Sequence, residues 1–473
     1  MSGIDRRDFI RTAAAGSVAA GFVGVDGAAG STGDGAAGAA RARAADELAP
    51  PPGLQEPRAG LFSAPPLETV RVGFVGVGHQ GSAHVANFLR IPGVEIRAIC
   101  DLVPAKVARM QARVREAGQP EPAGYSGSHE VFRELCARDD LDLVFTATPW
   151  NWHAPVLLAA MEAGKHAATE VPMAPTIAEL WELVATAERT ERHCVMMENC
   201  CYDRAEMMVL NMVRQGLFGE LLHAECGYLH DLRELKLSDF YEERWRIEHS
   251  KRRNADLYPT HGLGPVAQWL NVNRGNRFAT VVSMASPGVG LQRWAAEHIG
   301  PDSPAARQRY ALGDVVNTLI RTATGATILL THDTNSPRPY SRRILLQGAN
   351  GIMRKYPEAL IHLEDRSRAH RWEPFEDYRA EFEHPIWKAL EERSRGAGHG
   401  GMDYIEDYRL VQSLHEGAPM DMDVYDGAAL SAITDLSERS IARDSAPVQA
   451  PDFTRGAWRT RPPLGIVQID APA

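Results

Sequence analysis

Along residues 70–200, short unbroken apolar runs alternate with segments whose apolar positions recur every three to four residues. The runs 70–75, 94–100, 142–148, 165–169 and 193–197 have the length and continuity of strands buried on both faces. The segments 82–90, 104–117, 130–138, 154–163 and 176–192 have helical periodicity, with Ala83, Ala86 and the Phe88-Leu89 pair on one face of the first. Pro92-Gly93 and Gly164 punctuate them, and Thr176 is placed to cap. Strand–helix alternation of this kind predicts a doubly wound parallel sheet.

From about 201 the rhythm changes. After a helix at 204–215, strand-like runs at 221–229, 279–284, 317–322, 326–331, 344–347 and 360–363 follow with few helices between the later ones. Partial alternation around Thr318 predicts a sheet with one face covered. Helices at 266–271, 385–395, 404–414 and 428–443 complete a second, α+β domain with an open, largely antiparallel or mixed sheet. The tail from 445 to 473 is Pro-rich and is expected over the surface.

The junction of the first strand and helix carries Gly76-x-Gly78-x-x-Gly81, and the second strand ends in Asp101. A tight glycine turn at a helix N-terminus admits a pyrophosphate, and an acid some 20 residues on accepts ribose hydroxyls. Strand, glycine turn, helix, strand and acid in this order predict a Rossmann domain over 70–200 that binds NAD. Asp101 followed by Leu102, with no arginine beside it, favours NAD over NADP. An ordinary glycine-rich turn is the bland alternative.

The charge of -10 argues against nucleic acid or an anionic membrane surface as partner. No apolar run reaches the roughly 18–20 residues of a membrane span. Six cysteines without C-x-x-C spacing read as free core thiols, with disulfides left open. Arg6-Arg7, a mild apolar segment and Ala42-Arg43-Ala44 occur in order over 1–44, as in a twin-arginine export signal. Residues 45–69 read as a linker or arm.

Ala147-Thr148-Pro149 at a strand end and Gly164-Lys165-His166, followed by Glu170-x-Pro172, resemble the glucose-fructose oxidoreductase / inositol dehydrogenase superfamily over about 70–440. Its dehydrogenases typically carry a lysine where this chain has Val171, and valine neither bonds nor titrates. Trp150-Asn151-Trp152-His153, Glu170-Val171-Pro172, Tyr258-Pro259-Thr260-His261 and Gly398-His399-Gly-Gly-Met-Asp403 together are similar to glycoside hydrolase family 109.

That resemblance implies an NAD-dependent glycosidase, with α-N-acetylgalactosaminidase the known activity. The route implied is oxidation at C3 of the sugar, elimination across C1–C2, water addition and re-reduction. It implies cofactor contacts from Gly76, Gly78, His79, Gln80, Gly81, Asp101, Trp150, Asn151, Trp152, His153, Glu170, Val171 and Asn199. It implies sugar contacts from Tyr228, Arg246, Tyr258, Pro259, Thr260, His261 and Tyr340. The partner implied is a small molecule or glycan ending in an amino sugar, and a homo-oligomer is left open.

His261 is the first candidate for a base, since imidazole titrates near neutrality, with Tyr258 and Tyr228 next. Each has a structural alternative: a helix-start histidine that caps, or packed rings with satisfied hydroxyls. Arg246 has a surface ion pair as its alternative. His399 and Asp403 stand one helical turn apart, a metal-compatible spacing without a third ligand, so hydrogen bonding is preferred and no metal is assigned. The competing functions are a sugar or polyol oxidoreductase, against which Val171 stands, and a non-catalytic sugar binder holding NAD as a fixed part.

Overall fold

The computed structural model describes residues 48–54 and 62–469; the twin-arginine stretch and the Ala42-Arg43-Ala44 site lie outside them. Six parallel strands form the first sheet: β1 (Val70–Val75), β2 (Val94–Cys100), β3 (Ala123–Tyr125), β4 (Leu143–Thr146), β5 (His166–Thr169) and β6 (Cys194–Met196). Their order is β3-β2-β1-β4-β5-β6, so the strand order reverses between β1 and β4. Ligands of open parallel sheets bind in the crevice beyond the strand ends at such a point. β1 and β4 are buried almost throughout, as the unbroken apolar runs require. β3, expected as loop, is a strand of three residues whose burial is only partial, too little apolar pattern to announce itself.

The second sheet has nine strands in the order β14-β13-β12-β11-β7-β10-β9-β8-β15. These are β7 (Leu221–Leu229), β8 (Phe278–Ala285), β9 (Val315–Thr322), β10 (Thr327–Asp333), β11 (Leu345–Gly348), β12 (Gly351–Arg354), β13 (Leu360–Leu363), β14 (Glu373–Pro374) and β15 (Val448–Gln449). β7 and β10 pair parallel and the other neighbours antiparallel, so the sheet is mixed. In β9, Val316, Thr318, Ile320 and Thr322 are buried while Asn317, Leu319 and Arg321 are exposed, one face in and one face out. The C-terminal tail does more than lie on the surface: Val448 and Gln449 pair with β8 and close that edge. Short helices Arg233–Leu237, Trp245–Arg252 and Gly290–His298 were missing from the pattern because polar residues dominate them.

Helix Val424–Ile441 packs on β8 and also meets β6 of the first sheet. Its small residues permit the close fit, since a Cβ on Gly427 would stand 2.4 Å from the Met173 methyl carbon. Its serines satisfy backbone N–H groups of three neighbours: Met173 donates to Ser431, Asp256 to Ser437 and Ser283 to Ser440, each at 2.9 Å. Buried amides need such acceptors. Helix Met402–Glu416 returns to the first domain and packs on helix His79–Phe88, where Asp407 meets His84 at 2.8 Å and Asn87 at 2.9 Å. All six cysteines are free and buried.

Candidate functional site

A cleft of about 770 Å³ opens beyond the strand ends, lined by residues of both sheets' domains. At its floor the glycine turn forms a cradle shaped for a pyrophosphate. Gly76 has φ +81, and a Cβ there would stand 2.9 Å from the Ala147 carbonyl carbon. A Cβ on Gly81 would stand 2.0 Å from the Gly76 oxygen, so this glycine closes helix onto strand and does not itself line the cleft. Gly78 faces open space, with the Lys106 ammonium 3.7 Å from where its Cβ would be. Helix His79–Phe88 begins there, its free N–H groups aimed at the cradle.

Asp101 lines the cleft, and its oxygens accept from Val77 N and Val103 N, each at 2.9 Å. The carboxylate is thereby fixed with lone pairs left for ribose hydroxyls. Lys106 and Arg109 reach the same rim, which adjacency in sequence to Asp101 did not reveal; Lys106 is bonded to Glu242. The cradle, the fixed acid and the helix terminus fit NAD.

Past the sheet's switch point, Trp150 is buried against Tyr258 and His249, and Trp152 stacks on His129 at 5.3 Å. Asn151 is exposed and off the cleft, so its assignment to the cofactor is corrected: it occupies the outward position of a 3₁₀ turn. His153 is buried with its ring nitrogens 2.7 Å from the Pro172 oxygen and 2.8 Å from the Thr148 oxygen. It ties two cleft loops together, and burial holds it below the ordinary imidazole range.

Glu170 lines the cleft with Oε1 2.8 Å from His84 Nε2 and Oε2 accepting from Val171 N. Burial works against a charge on His84, but Asp407 and Glu170 on either side push it well above its ordinary value. Glu170 is therefore held by a buried imidazolium. Val171 gives the wall an apolar patch.

The substrate-domain wall is aromatic. Tyr228, Tyr258 and His261 cluster, with ring centroids 4.5 Å (Tyr228–Tyr258), 4.8 Å (Tyr258–His261) and 5.5 Å (Tyr228–His261) apart. Burial pushes the Tyr228 hydroxyl up to about 12 and Tyr258 well above its ordinary value, so both hold their protons. The Arg246 guanidinium lies over Trp150, Tyr241, Trp245 and Tyr258 at 5.1–5.4 Å from each ring. No carboxylate among the described residues pairs with it, and its Nε lacks a hydrogen-bond partner. The surface ion pair is thus replaced by a caged cation facing the cleft.

His261 is the second residue of helix Thr260–Trp269 rather than part of a preceding turn. Its Nδ1 is 2.8 Å from Glu198 Oε1, and Glu198 is fully buried. Burial raises the carboxyl, but the charge and hydrogen bond of His261 outweigh it and hold Glu198 below the ordinary range. Pro259 and Thr260 are buried and do not line the cleft, so their role is to start the helix that carries His261. Tyr340 is exposed and outside the lining, edge-on to His230 at 5.1 Å; it stands at the rim beside Tyr228.

Glu198, which pairs with His261, is the site residue that sequence left out. Its position at the carboxyl end of β6, beside Asn199, was the available signal. Of the stretch Leu232–Arg246 only Arg246 was expected at the site; Leu232, Phe240 and Tyr241 line the cleft as well. His399 bonds Asp403 as a hydrogen-bonded pair. Among the described residues, Glu198, Cys200 and His261 bring three ligand-type atoms within 4.8 Å. Two of them already bond each other, and the Cys200 sulfur takes Arg342 Nη1 at 2.8 Å.

Residues 202–460 match the model for the glycosyl hydrolase 109 C-terminal domain, and 70–198 match the oxidoreductase-family NAD-binding Rossmann fold. A glycosyl hydrolase family 109 protein of Shewanella sp. (strain MR-4) is 45% identical over 472 residues, 99% of this chain and 100% of that one. This chain belongs to glycosyl hydrolase family 109. Another relative at 44% identity over 472 residues, from Shewanella oneidensis, carries the name alpha-N-acetylgalactosaminidase and is covered in full, with 99% of this chain.

Among solved structures, levoglucosan dehydrogenase in complex with NADH and levoglucosan aligns with a TM-score of 0.61 at 22% identity, over 81% of this chain and 100% of that one. An NAD-binding oxidoreductase of Klebsiella pneumoniae aligns at 0.65 and 18% identity, over 81% and 99%. These likenesses show the fold: a family 109 chain is built on a dehydrogenase frame.

Proposed function

We propose that this family 109 protein is an NAD-dependent glycosidase that removes terminal α-linked N-acetylgalactosamine by transient oxidation of the sugar at C3. The observation that carries this is the meeting, in one cleft, of the nucleotide cradle with a His261–Glu198 pair and two proton-holding tyrosines. Val171 leaves the position of the dehydrogenase lysine without a titrating group. Bound NAD⁺ supplies reversible oxidation at C3.

The side chains manage protons and position. A ketone at C3 acidifies the C2 proton. Glu198 accepts from His261 Nδ1, so Nε2 is left as the acceptor facing the cleft. Tyr228 and Tyr258 keep their hydroxyl protons and are donors suited to the departing C1 oxygen. Arg246, without a carboxylate partner inside its aromatic cage, offers N–H groups to the acetamido carbonyl. The buried His84 ring holds Glu170 oriented at the cofactor end.

Cleavage of nitrophenyl α-N-acetylgalactosaminide in D₂O tests the proposal. Deuterium should enter C2 of the released sugar, and reduced cofactor should not accumulate. Hydrolysis without deuterium at C2 would refute elimination, because direct displacement at C1 never breaks that bond. Accumulating reduced cofactor with an unhydrolysed glycoside would favour a sugar oxidoreductase. Export by the twin-arginine route is a further part of the proposal, supported by Arg6-Arg7 and Ala42-Arg43-Ala44. A double Arg6→Lys, Arg7→Lys variant should remain in the cytoplasm.

A further inference from the structure

The proposed chemistry leaves the cofactor as it began, and this sets a demand that net oxidation does not. A dehydrogenase must exchange its reduced cofactor after every turnover. In the glycosidase reading, escape of the reduced cofactor before the last step would strand a sugar oxidised at C3. The fold alone does not prevent that, since it is the fold of dehydrogenases.

The stretch 238–246 lies across the cleft as a strap. It belongs to the substrate domain, and both of its ends are anchored there. Leu237 before it and Ile247 after it are buried in a small apolar cluster of their own with Leu291, Ala295 and Tyr310. The part between reaches over to the nucleotide domain. Glu242 bonds Lys106 Nζ. Glu243 Oε1 stands 3.9 Å from His129 Nε2, and the Phe240 ring lies 5.6 Å from that of His79. All of these residues line the cleft, so the two domains meet across its mouth. The Lys106 ammonium stands 3.7 Å from where a Cβ on Gly78 would be, beside the turn that cradles the pyrophosphate. A dinucleotide running from Asp101 along this turn toward Glu170 therefore has the Lys106–Glu242 bridge at its middle.

The backbone of the strap is strained into this contact. Glu243 has φ +58 and Arg244 φ +47, two successive left-handed residues that are not glycine. Arg244 Nε bonds Asp239 at 2.8 Å and draws the loop closed. Such backbone persists where its surroundings hold it, and it concentrates at ligand clamps and switches. The groups that hold the strap down reach solvent, the Glu242 side chain being 59% exposed and that of Glu243 70%. Exposed ion pairs are individually weak. The strap is thus built to lift for loading and to settle again, rather than to seal the cleft for good.

Building on the glycosidase reading, we propose that the strap, held to the nucleotide domain by Glu242 on Lys106 and by Glu243 beside His129, retains the reduced cofactor and so makes the oxidation internal. Glu242 is a positioning residue: it acts through Lys106 and decides whether the reaction ends as hydrolysis or as net oxidation. With the strap released, the sugar leaves oxidised. Its C3 has lost a hydrogen with the bonding pair to NAD⁺, the hydroxyl proton has gone to solvent, and the C3=O bond has formed. Free NADH is the second product, and NAD⁺ from the medium serves the next turnover.

Two measurements test this. In the first, enzyme loaded with radiolabelled NAD is chased with unlabelled NAD and the retained label is followed. Glu242→Gln should lose label up to about fivefold faster than wild type, the effect of one exposed pair. Glu242→Lys, which sets like charges face to face, should lose it about tenfold faster or more. Salt should speed exchange in wild type more than in Glu242→Gln. Lys106→Cys with Glu242→Cys, bridged by a short bis-maleimide, should trap the label; the six native cysteines are buried and do not compete. In the second, nitrophenyl α-N-acetylgalactosaminide is turned over with NAD in the medium. Wild type should release nitrophenol without free NADH. Glu242→Lys should release free NADH and an equal amount of sugar oxidised at C3.

Wild-type retention of label by Glu242→Lys, or exchange from the bridged protein as fast as from the unbridged one, would overturn the assignment. So would fast exchange in Glu242→Lys with no free NADH formed in turnover. Wild-type enzyme that cleaves no glycoside, or that releases NADH at every turnover, would instead remove the glycosidase reading, and label exchange would still decide whether the strap holds the cofactor.

Discussion

Replacing Glu198 with glutamine is the sharpest probe of the His261 pair, because it removes a charge while keeping the shape. The carboxylate accepts from His261 Nδ1 at 2.8 Å and from Cys200 N at 3.1 Å, and it is fully buried. A hydrogen bond to a charged group contributes about 1.5–3 kcal/mol, against about 0.5–1.5 for a neutral one. The amide oxygen of glutamine can still accept from Nδ1, so the loss is the difference, about 1–2 kcal/mol. If that stabilisation acts on the protonated imidazole during turnover, Glu198→Gln should lower kcat roughly 5–30-fold. NAD content should be unchanged.

Glu198→Ala should do more, since it leaves His261 Nδ1 and the Cys200 amide without acceptors, at about 1–3 kcal/mol for each buried group. That loss should appear in Tm as well as in rate. The pH dependence follows the same carboxylate. Its folded pKa lies below the ordinary 4.5, so its stabilisation is complete above that value and is lost as pH falls through the folded one. The glutamine variant should lack this acid limb. A rate within twofold of wild type, with nitrophenyl α-N-acetylgalactosaminide as substrate, would show that Glu198 does not act through His261.

Gly81→Ala should purify without NAD even where it folds, because its Cβ would stand 2.0 Å from a backbone oxygen and the helix must shift off the cradle; cofactor absorbance of the purified protein checks this. Arg246→Met should raise KM with little change in NAD content, as it removes the cation from the aromatic cage; steady-state kinetics decide. His193 is buried beside Phe62 and His166, and burial lowers it from 6.5 to about 4. The unfolded chain binds the proton first, so stability should fall as pH drops from about 6.5 to about 4. His193→Phe should remove part of that slope, at most about 3 kcal/mol, in thermal melts across this range.

The parallel sheet was legible because buried strands leave unbroken apolar runs, and β1, β2 and β5 begin or end within a residue of where the pattern put them. β3 and β15 escaped because two or three residues are too few to carry a period. The glycine turn and Asp101 announced the cofactor, since their spacing is fixed by backbone geometry. Glu198 and the His399–Asp403 pair were harder. Their meaning depends on side chains 63 residues away in one case and on Asn199 and Gln80, 204 and 323 residues away, in the other. Asn151, Pro259 and Thr260 illustrate the opposite error: a motif assigns a contiguous stretch, while a helical turn faces only some of it into the cleft.

The return of helix Met402–Glu416 onto the first domain fixes the order of events during synthesis. His84 and Asp407 are 323 residues apart in the chain. At about 5–20 residues per second, the ribosome needs roughly 15–65 s to supply the second after the first. Throughout that interval the nascent nucleotide domain has its glycine cradle but neither the Asp407 carboxylate that holds His84 nor the Asp403 carboxylate that Gln80 and Asn199 bond. Stable capture of the dinucleotide at its redox end therefore belongs to the finished polypeptide. A chain stopped before Met402 should keep the cradle and Asp101 but hold the dinucleotide more weakly than the finished chain.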